Sequence, residues 1–297
     1  MNIANPIYDV VFKYLLEDEK VAKLLLGAIL DKEIIDIEFA PQEYTAEIKE
    51  KSMTVYRVDF KAKIRLDNGE TKVILIELQK AKLLTDIMRF RRYIGKQYSN
   101  ENNTITIDCK RQALPIITIY FIGYNLDNLK DIPVIYVKRE YINKATNEII
   151  EKKDNFIESL THDSIIIQIQ SVKHKKHKNN LEKILSVFDN AKKHTISIDE
   201  DNYPDKYKPI TRRLLRAIAK DDIVNTMEVE DDILEELQIN ERKVEELAKE
   251  NFKIKQEKKQ AQEEKKQALI KLAKKMLQYG ESLEDVLKET KLNEDDL

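Results

Sequence analysis

The chain is predicted to fold as an α/β protein, a mixed sheet flanked by helices, followed by an α-helical C-terminal region with a long charged helix. Three features predict this. From Tyr56 to Leu66 apolar and polar residues alternate strictly, the mark of a strand with one buried face. The run Val73 to Gln79 reads as a second strand, and Leu114 to Ile122 is too apolar for an edge strand. Helical spacing precedes and separates these runs, and Glu, Lys and Gln dominate from about Glu228 to Gln267.

In chain order, Asn5-Pro6 opens a helical stretch. Val10, Val11, Tyr14 and Leu15, then Val21, Leu24, Leu25 and Ala28, recur at spacings of three and four. Ile34 to Phe39 reads as a strand, with a polar connection through Pro41. In the alternating strand, Tyr56, Val58, Phe60, Ala62, Ile64 and Leu66 take one face, and Arg57, Asp59, Lys61, Lys63 and Arg65 the other. Asp67-Asn68-Gly69 suits a three-residue hairpin loop whose glycine is left-handed. That loop pairs Leu66 with Glu70, and the same register sets Asp59 opposite Glu77. Opposed residues of an antiparallel pair share a face, with Cβ atoms about 5 Å apart. A two-residue loop would separate the two acids across the sheet.

A cation-rich helix is expected from Lys80 to Lys96, with Ile87 and Phe90 facing the core. Leu114 to Ile122 reads as a central strand entered by Pro115, and Val134 to Val137 and Ile165 to Ile169 as further strands. Helical pattern resumes from Asn180 to about Asp222, broken at Tyr203-Pro204 and Pro209. From Asp231 one long helix carries Ile233, Leu247, Ile254, Ala261 and Ala268 on a heptad, but Asn251, Lys258 and Lys265 stand at the companion positions. Such a seam makes a weak coiled coil or a solvated helix. Gly280 ends it, and a short helix follows from Ser282 to Glu289. The expected division is 1–172, a helical extension at 173–227, the charged helix at 228–270 and a helical tail at 271–297.

Composition narrows the function classes. The formal net charge of -2 does not advertise a nucleic-acid binder, but 36% of residues are charged, so local patches outweigh the sum. The single cysteine, Cys109, excludes an internal disulfide and suits a reducing cytoplasm. No apolar run approaches the ~20 residues of a membrane span, and the first residues lack a signal-peptide pattern. A cytoplasmic protein with no membrane association is expected.

Two carboxylates projecting together from neighbouring strands suit a hard divalent cation such as Mg²⁺, which takes oxygen ligands and keeps several waters. Asp59 and Glu77 supply them, and period-two alternation adds Gln79 to the same face. Gln79 can orient a water or a phosphate but cannot act as a general base. Arg57, Lys61 and Lys63 share the strand face of Asp59, so a salt-bridged surface is the competing reading.

These residues resemble the PD-(D/E)XK nuclease superfamily, in its transposase-like or recombination-promoting branch. The likeness runs through Pro6-Ile7-Tyr8-Asp9-Val10-Val11-Phe12-Lys13, Asp59, Glu77-Leu78-Gln79, Met88-Arg89-Phe90-Arg91-Arg92-Tyr93 and Leu114-Pro115-Ile116-Ile117. Lys274-Lys275-Met276-Leu277, Gly280 and Leu283 to Leu287 are similar to tails of that branch. The resemblance implies a restriction-endonuclease-like mixed sheet and a metal-dependent hydrolase of DNA phosphodiesters. Asp59, Glu77 and the Leu78 carbonyl would bind Mg²⁺ or Mn²⁺, and the helix of Asp9 and Lys13 would face the site. Gln79 departs from the lysine of the superfamily's name pattern, although the branch commonly has glutamine there. Lys80, Lys82, Arg89, Arg91 and Arg92 are the expected DNA contacts, to phosphate rather than to bases. The alternative is a catalytically weak or inactive nuclease fold that binds DNA or protein and self-associates as a homo-oligomer through its C-terminal helix.

Overall fold

The structure is a computed structural model that describes residues 1–48, 51–81, 87–107, 109–173, 177–191 and 193–293. The strands are β1 (Asn2–Ala4), β2 (Glu33–Ile48), β3 (Lys51–Arg65), β4 (Thr71–Ala81), β5 (Thr104–Ile107), β6 (Lys110–Ala113), β7 (Ile116–Ile122), β8 (Val134–Val137), β9 (Asp163–Gln168) and β10 (Thr195–Ser197). The helices are α1 (Asp9–Leu16), α2 (Glu19–Leu30), α3 (Ile87–Ser99), α4 (Asn155–Leu160), α5 (Ile169–Lys173), α6 (Asn180–Leu185), α7 (Lys208–Ile218), α8 (Asp221–Gln278) and α9 (Leu283–Thr290).

Six strands form the central sheet in the order β2-β3-β4-β7-β9-β8. β2, β3 and β4 make an antiparallel meander, β4, β7 and β9 run parallel, and β8 closes the far edge antiparallel to β9. The sheet is therefore mixed, as predicted. Strand β3 shows the expected alternation: Phe60, Ala62 and Ile64 are buried, while Lys63 and Arg65 are exposed. β7 is buried on both faces, as a central strand should be.

Helices lie on both sides of this sheet. On one face α1, α2 and α7 build the main core, where Phe12, Phe121 and Phe188 stack edge-to-face and tilted with ring centroids 4.9–5.9 Å apart. On the other, Phe90 of α3 lies against Tyr120, with centroids 4.9 Å apart, above Ile122 and Ile166.

Several expected boundaries are corrected. The first helical stretch is two helices: Asp18 leaves the helix and caps α2 by accepting from the Val21 amide. Asn5-Pro6 lies ahead of α1 and is not helical. β2 runs on through Pro41, which an edge strand tolerates because its outer N–H positions need no partner. β4 continues to Ala81, so Lys80 is in a strand and the cationic helix starts only at Ile87. Ile87 is exposed and only Phe90 faces inward. Pro209 sits in the first turn of α7, which it starts rather than breaks. The pairing of β1 with β10 and the β5–β6 hairpin are additions.

The chain divides into two compact units, Met1–Ile233 and Leu234–Leu297. α6, α7 and the start of α8 belong to the first. There Glu230 accepts hydrogen bonds from the Asp9 and Val10 amides at 2.8 and 2.9 Å, placing a carboxylate on the positive end of α1. Asp231 accepts from the Tyr8 hydroxyl and meets His194 Nε2 at 2.9 Å. Burial and the Asp231 carboxylate hold the Tyr8 phenol well above its usual range. In the second unit Gly280 adopts φ +91° and ends α8, and Ser282 caps α9. No described helix is long and apolar enough to cross a membrane.

A charged network fixes the lower edge of the sheet. Glu158 of α4, nearly buried, accepts from Tyr141 at 2.7 Å and meets Arg139 at 3.3 Å and Lys72 at 3.4 Å, while Arg139 also binds Asp163 at 2.8 Å. Burial pushes the Glu158 carboxyl up, but the Tyr141 hydroxyl, Arg139 and Lys72 together outweigh it and the net shift is down. A depressed carboxyl stabilises the fold above its unfolded value, about 4.3, and that contribution is lost as pH falls through the folded value. Glu158→Gln is expected to cost about 2 kcal/mol at pH 7. Urea midpoints of the two proteins should converge as the solution is acidified below pH ~4. A gap that persists unchanged in acid would contradict this account.

Candidate active site

The β3–β4 hairpin carries the candidate site, and its turn sets the register. The Leu66 amide donates to the Glu70 carbonyl at 2.8 Å, the Gly69 amide to the Leu66 carbonyl at 2.9 Å, and Gly69 holds φ +83°. This is the three-residue loop that Asp67-Asn68-Gly69 predicts, with the glycine where a side chain would be strained. Along the two strands the Cα partners run Arg65↔Thr71, Lys63↔Val73, Lys61↔Leu75 and Asp59↔Glu77. Asp59 therefore stands directly opposite Glu77.

The backbones of Asp59, Glu77, Leu78, Gln79, Lys80 and Arg89 are described, but their side chains lie outside the described residues, as does all of Lys82. Register alone places them. On the far side of β4, Glu77 is paired with Thr118 of β7 and Gln79 with Tyr120. Neighbours at one register share a face, so the positions of Asp59, Glu77 and Gln79 belong with Thr118 and Tyr120. Lys80 pairs with Phe121 and has the opposite parity. The fold thus brings Asp59, Glu77 and Gln79 to one patch and leaves Lys80 at the parity of the main core.

α3 covers that same face. Its Phe90 sits on Tyr120, the register neighbour of Gln79, and packs with Ile122 and Ile166, so α3 lies over β7 and β9 on that face. Arg91 and Arg92 are exposed on α3. Asp9 and Lys13 lie one turn apart on α1, both partly buried. α1 itself packs through Phe12 on Phe121, on the other face of β7.

Thr118 escaped the sequence reading. It is fully buried, and its hydroxyl donates to Ser164 Oγ at 2.7 Å. One signal for it existed: a hydroxyl inside the run Leu114 to Ile122, where burial demands a partner.

The residue types that register opposes here, Asp59 and Glu77, offer only oxygen donors, the kind that hard divalent cations such as magnesium take. Among the described residues no group of three or more His, Cys, Asp or Glu could hold a metal ion, and the side chains of Asp59 and Glu77 lie outside them. No family model, curated protein or solved structure matches the chain.

Proposed function

We propose that this protein is a metal-dependent endonuclease acting on DNA, of the transposase-like or recombination-promoting kind, with Asp59, Glu77 and Gln79 at its centre. The observation that carries this reading is the Asp59↔Glu77 register, which opposes two acids on adjacent strands of a mixed sheet. Asp59, Glu77 and the Leu78 carbonyl would hold Mg²⁺ or Mn²⁺. When bound, such an ion polarises the phosphodiester and makes hydroxide accessible near neutral pH. The protein's own part is positional. The Gln79 amide hydrogen-bonds the attacking water or a phosphate oxygen, and Arg91 and Arg92 hold the backbone on either side without reading its sequence.

Calorimetric titration of the full chain with Mn²⁺ tests the reading. One divalent site, lost in Glu77→Ala, is expected. DNA binding without any divalent site would instead favour a nuclease fold that holds DNA and does not cut it.

Gln79 sets the rate in this reading. A neutral amide stabilises developing phosphate charge less than an ammonium does, so Gln79→Lys is expected to raise kcat at least about tenfold, with little change in KM. A kcat that falls or stays the same would show that Gln79 works by a route a lysine cannot replace.

A further inference from the structure

Two contacts fix how α3 lies and how it is turned. Phe90 clusters with Tyr120 of β7 and Ile166 of β9, and the Tyr98 hydroxyl meets Nδ1 of His162, which leads into β9, at 2.7 Å. From Phe90 to Tyr98 the helix advances about 12 Å at 1.5 Å per residue. From Ile166 back to His162 an extended chain covers about 13 Å. The two segments keep step, so α3 runs along β9 in the opposite direction.

Successive residues of an α-helix turn by about 100°. Measured from Phe90, Gln97 stands about 20° away and is buried as well, which marks the inward side of α3. Tyr98 stands about 80° to one side, and its bond to His162 shows that this side faces β9. Tyr93 stands about 60° and Lys96 about 120° to the other side. Their flank therefore faces β4, which neighbours β7 on the side away from β9. Burial agrees, since Tyr93 is half-buried and Lys96 exposed.

Their level along the strands follows from the same directions. Tyr120 is the register partner of Gln79, and Thr118 that of Glu77. β4, β7 and β9 are parallel, so passing from Phe90 towards Tyr98 leads from Gln79 towards Glu77. Tyr93 comes about 4.5 Å and Lys96 about 9 Å along this path, against about 6.6 Å for the step from Gln79 to Glu77. Tyr93 is level with the stretch between those two positions, and Lys96 lies just past Glu77.

We propose that Tyr93 and Lys96 are further DNA contacts of α3 at the candidate site. The Tyr93 hydroxyl donates to, and the Lys96 ammonium pairs with, phosphate oxygens beside the bond that is cut. The inference rests on the nuclease reading and adds two substrate-binding residues to it. Two opposed acids repel a polyanion, so a phosphate brought to Asp59 and Glu77 needs donors from a neighbouring element. A phenol and an ammonium three residues apart are neighbours on a helix surface and reach adjoining oxygens. Neither group reads a base edge here, so the contact positions the strand and leaves its sequence unread.

Binding of the full chain to a fluorescein-labelled duplex tests it, followed by anisotropy in Ca²⁺ from about 50 to about 200 mM salt. Lys96→Gln is expected to lower the slope of log K against log salt by about 0.9, the share of one phosphate. Lys96→Arg should keep the slope. Tyr93→Phe removes the hydroxyl and keeps the ring, and is expected to weaken binding about tenfold at an unchanged slope. Tyr98→Phe, on the opposite flank, should bind like the wild type. An unchanged slope in Lys96→Gln, or unchanged affinity in Tyr93→Phe, would overturn the inference. So would an equal loss in Tyr98→Phe, which would mean that these hydroxyls serve the helix and not the DNA. A wild type that binds no duplex would overturn the nuclease reading as well. A wild type that nicks plasmid in Mg²⁺ while Tyr93→Phe and Lys96→Gln bind unaltered would remove these two residues alone.

Discussion

Asp59→Ala and Glu77→Ala are each expected to reduce metal-dependent DNA cleavage by about 10³-fold or more, the loss that follows removal of a group acting at the reacting centre. The two residues come from different strands and are opposed only because the hairpin loop has three residues. If they hold one ion, either removal empties the site, and the double variant should be no worse than the poorer single one. That non-additivity is the diagnostic result, since two independent surface charges would show additive and small effects. Lys63→Ala supplies the control. Lys63 occupies the same strand parity, two register steps from Asp59, and is exposed. Its loss is expected to change the rate less than about threefold, as for an ordinary surface substitution. Single-turnover cleavage of a labelled duplex would measure all four. Full activity in either alanine variant would remove that residue from the site.

Asn5→Ala is expected to cost about 4 kcal/mol of stability. The side chain is completely buried and uses its whole hydrogen-bonding capacity. Its amide donates to the Asp189 and Lys193 carbonyls at 2.8 and 3.0 Å, and its oxygen accepts from the Ile7 and Asp189 amides at 3.1 and 3.2 Å. Alanine would strand four backbone groups, three of them buried and each of these costing about 1–3 kcal/mol when unpaired. Partial relaxation keeps the total below the sum. Against a typical stability of 5–15 kcal/mol, this is a large fraction. Asn5 also ties the segment that enters α1 to the chain some 184 residues later, so its loss loosens the placement of Asp9 and Lys13. Native-state hydrogen exchange of the β7 and β9 amides is the suitable readout, because those central strands open only with the unit as a whole. A change under 1 kcal/mol would mean that water replaces the side chain's bonds.

The hairpin was legible in the sequence because two local signals agreed. Alternation from Tyr56 to Leu66 assigned faces, and Asp67-Asn68-Gly69 assigned the loop, so register followed by counting. Other features were hidden for physical reasons. β4 is a central strand apolar on both faces from Ile74 to Ile76, and such a strand has no alternation to mark its end. Its extension through Lys80 therefore has the same local pattern as the first turn of a helix. Pro41 reads as part of a polar connection because only the sheet order reveals that β2 lies at an edge. The role of Asn5 depends on partners near residue 190, and the three-residue strands β1 and β10 meet across the same distance. No local pattern encodes such contacts. The inverted polarity of α4 was equally invisible, since Phe156 and Leu160 look like core residues until Arg139 and Tyr141 are seen to hold Glu158 inward. At the site, counting back from the turn is enough to tell which residues oppose one another, and the fold adds Thr118 and Tyr120 as their neighbours on β7.

If the opposed acids make a metal-dependent nuclease, DNA cleavage must require both the metal and Asp59. Incubating supercoiled plasmid with the purified full chain in Mg²⁺, in Mn²⁺ and in chelator, with Asp59→Ala in parallel, addresses it most directly. Nicked and linear products that need the metal and vanish with Asp59→Ala are the predicted result. Plasmid left intact by the wild type in both metals, or cut equally well in chelator, would contradict it.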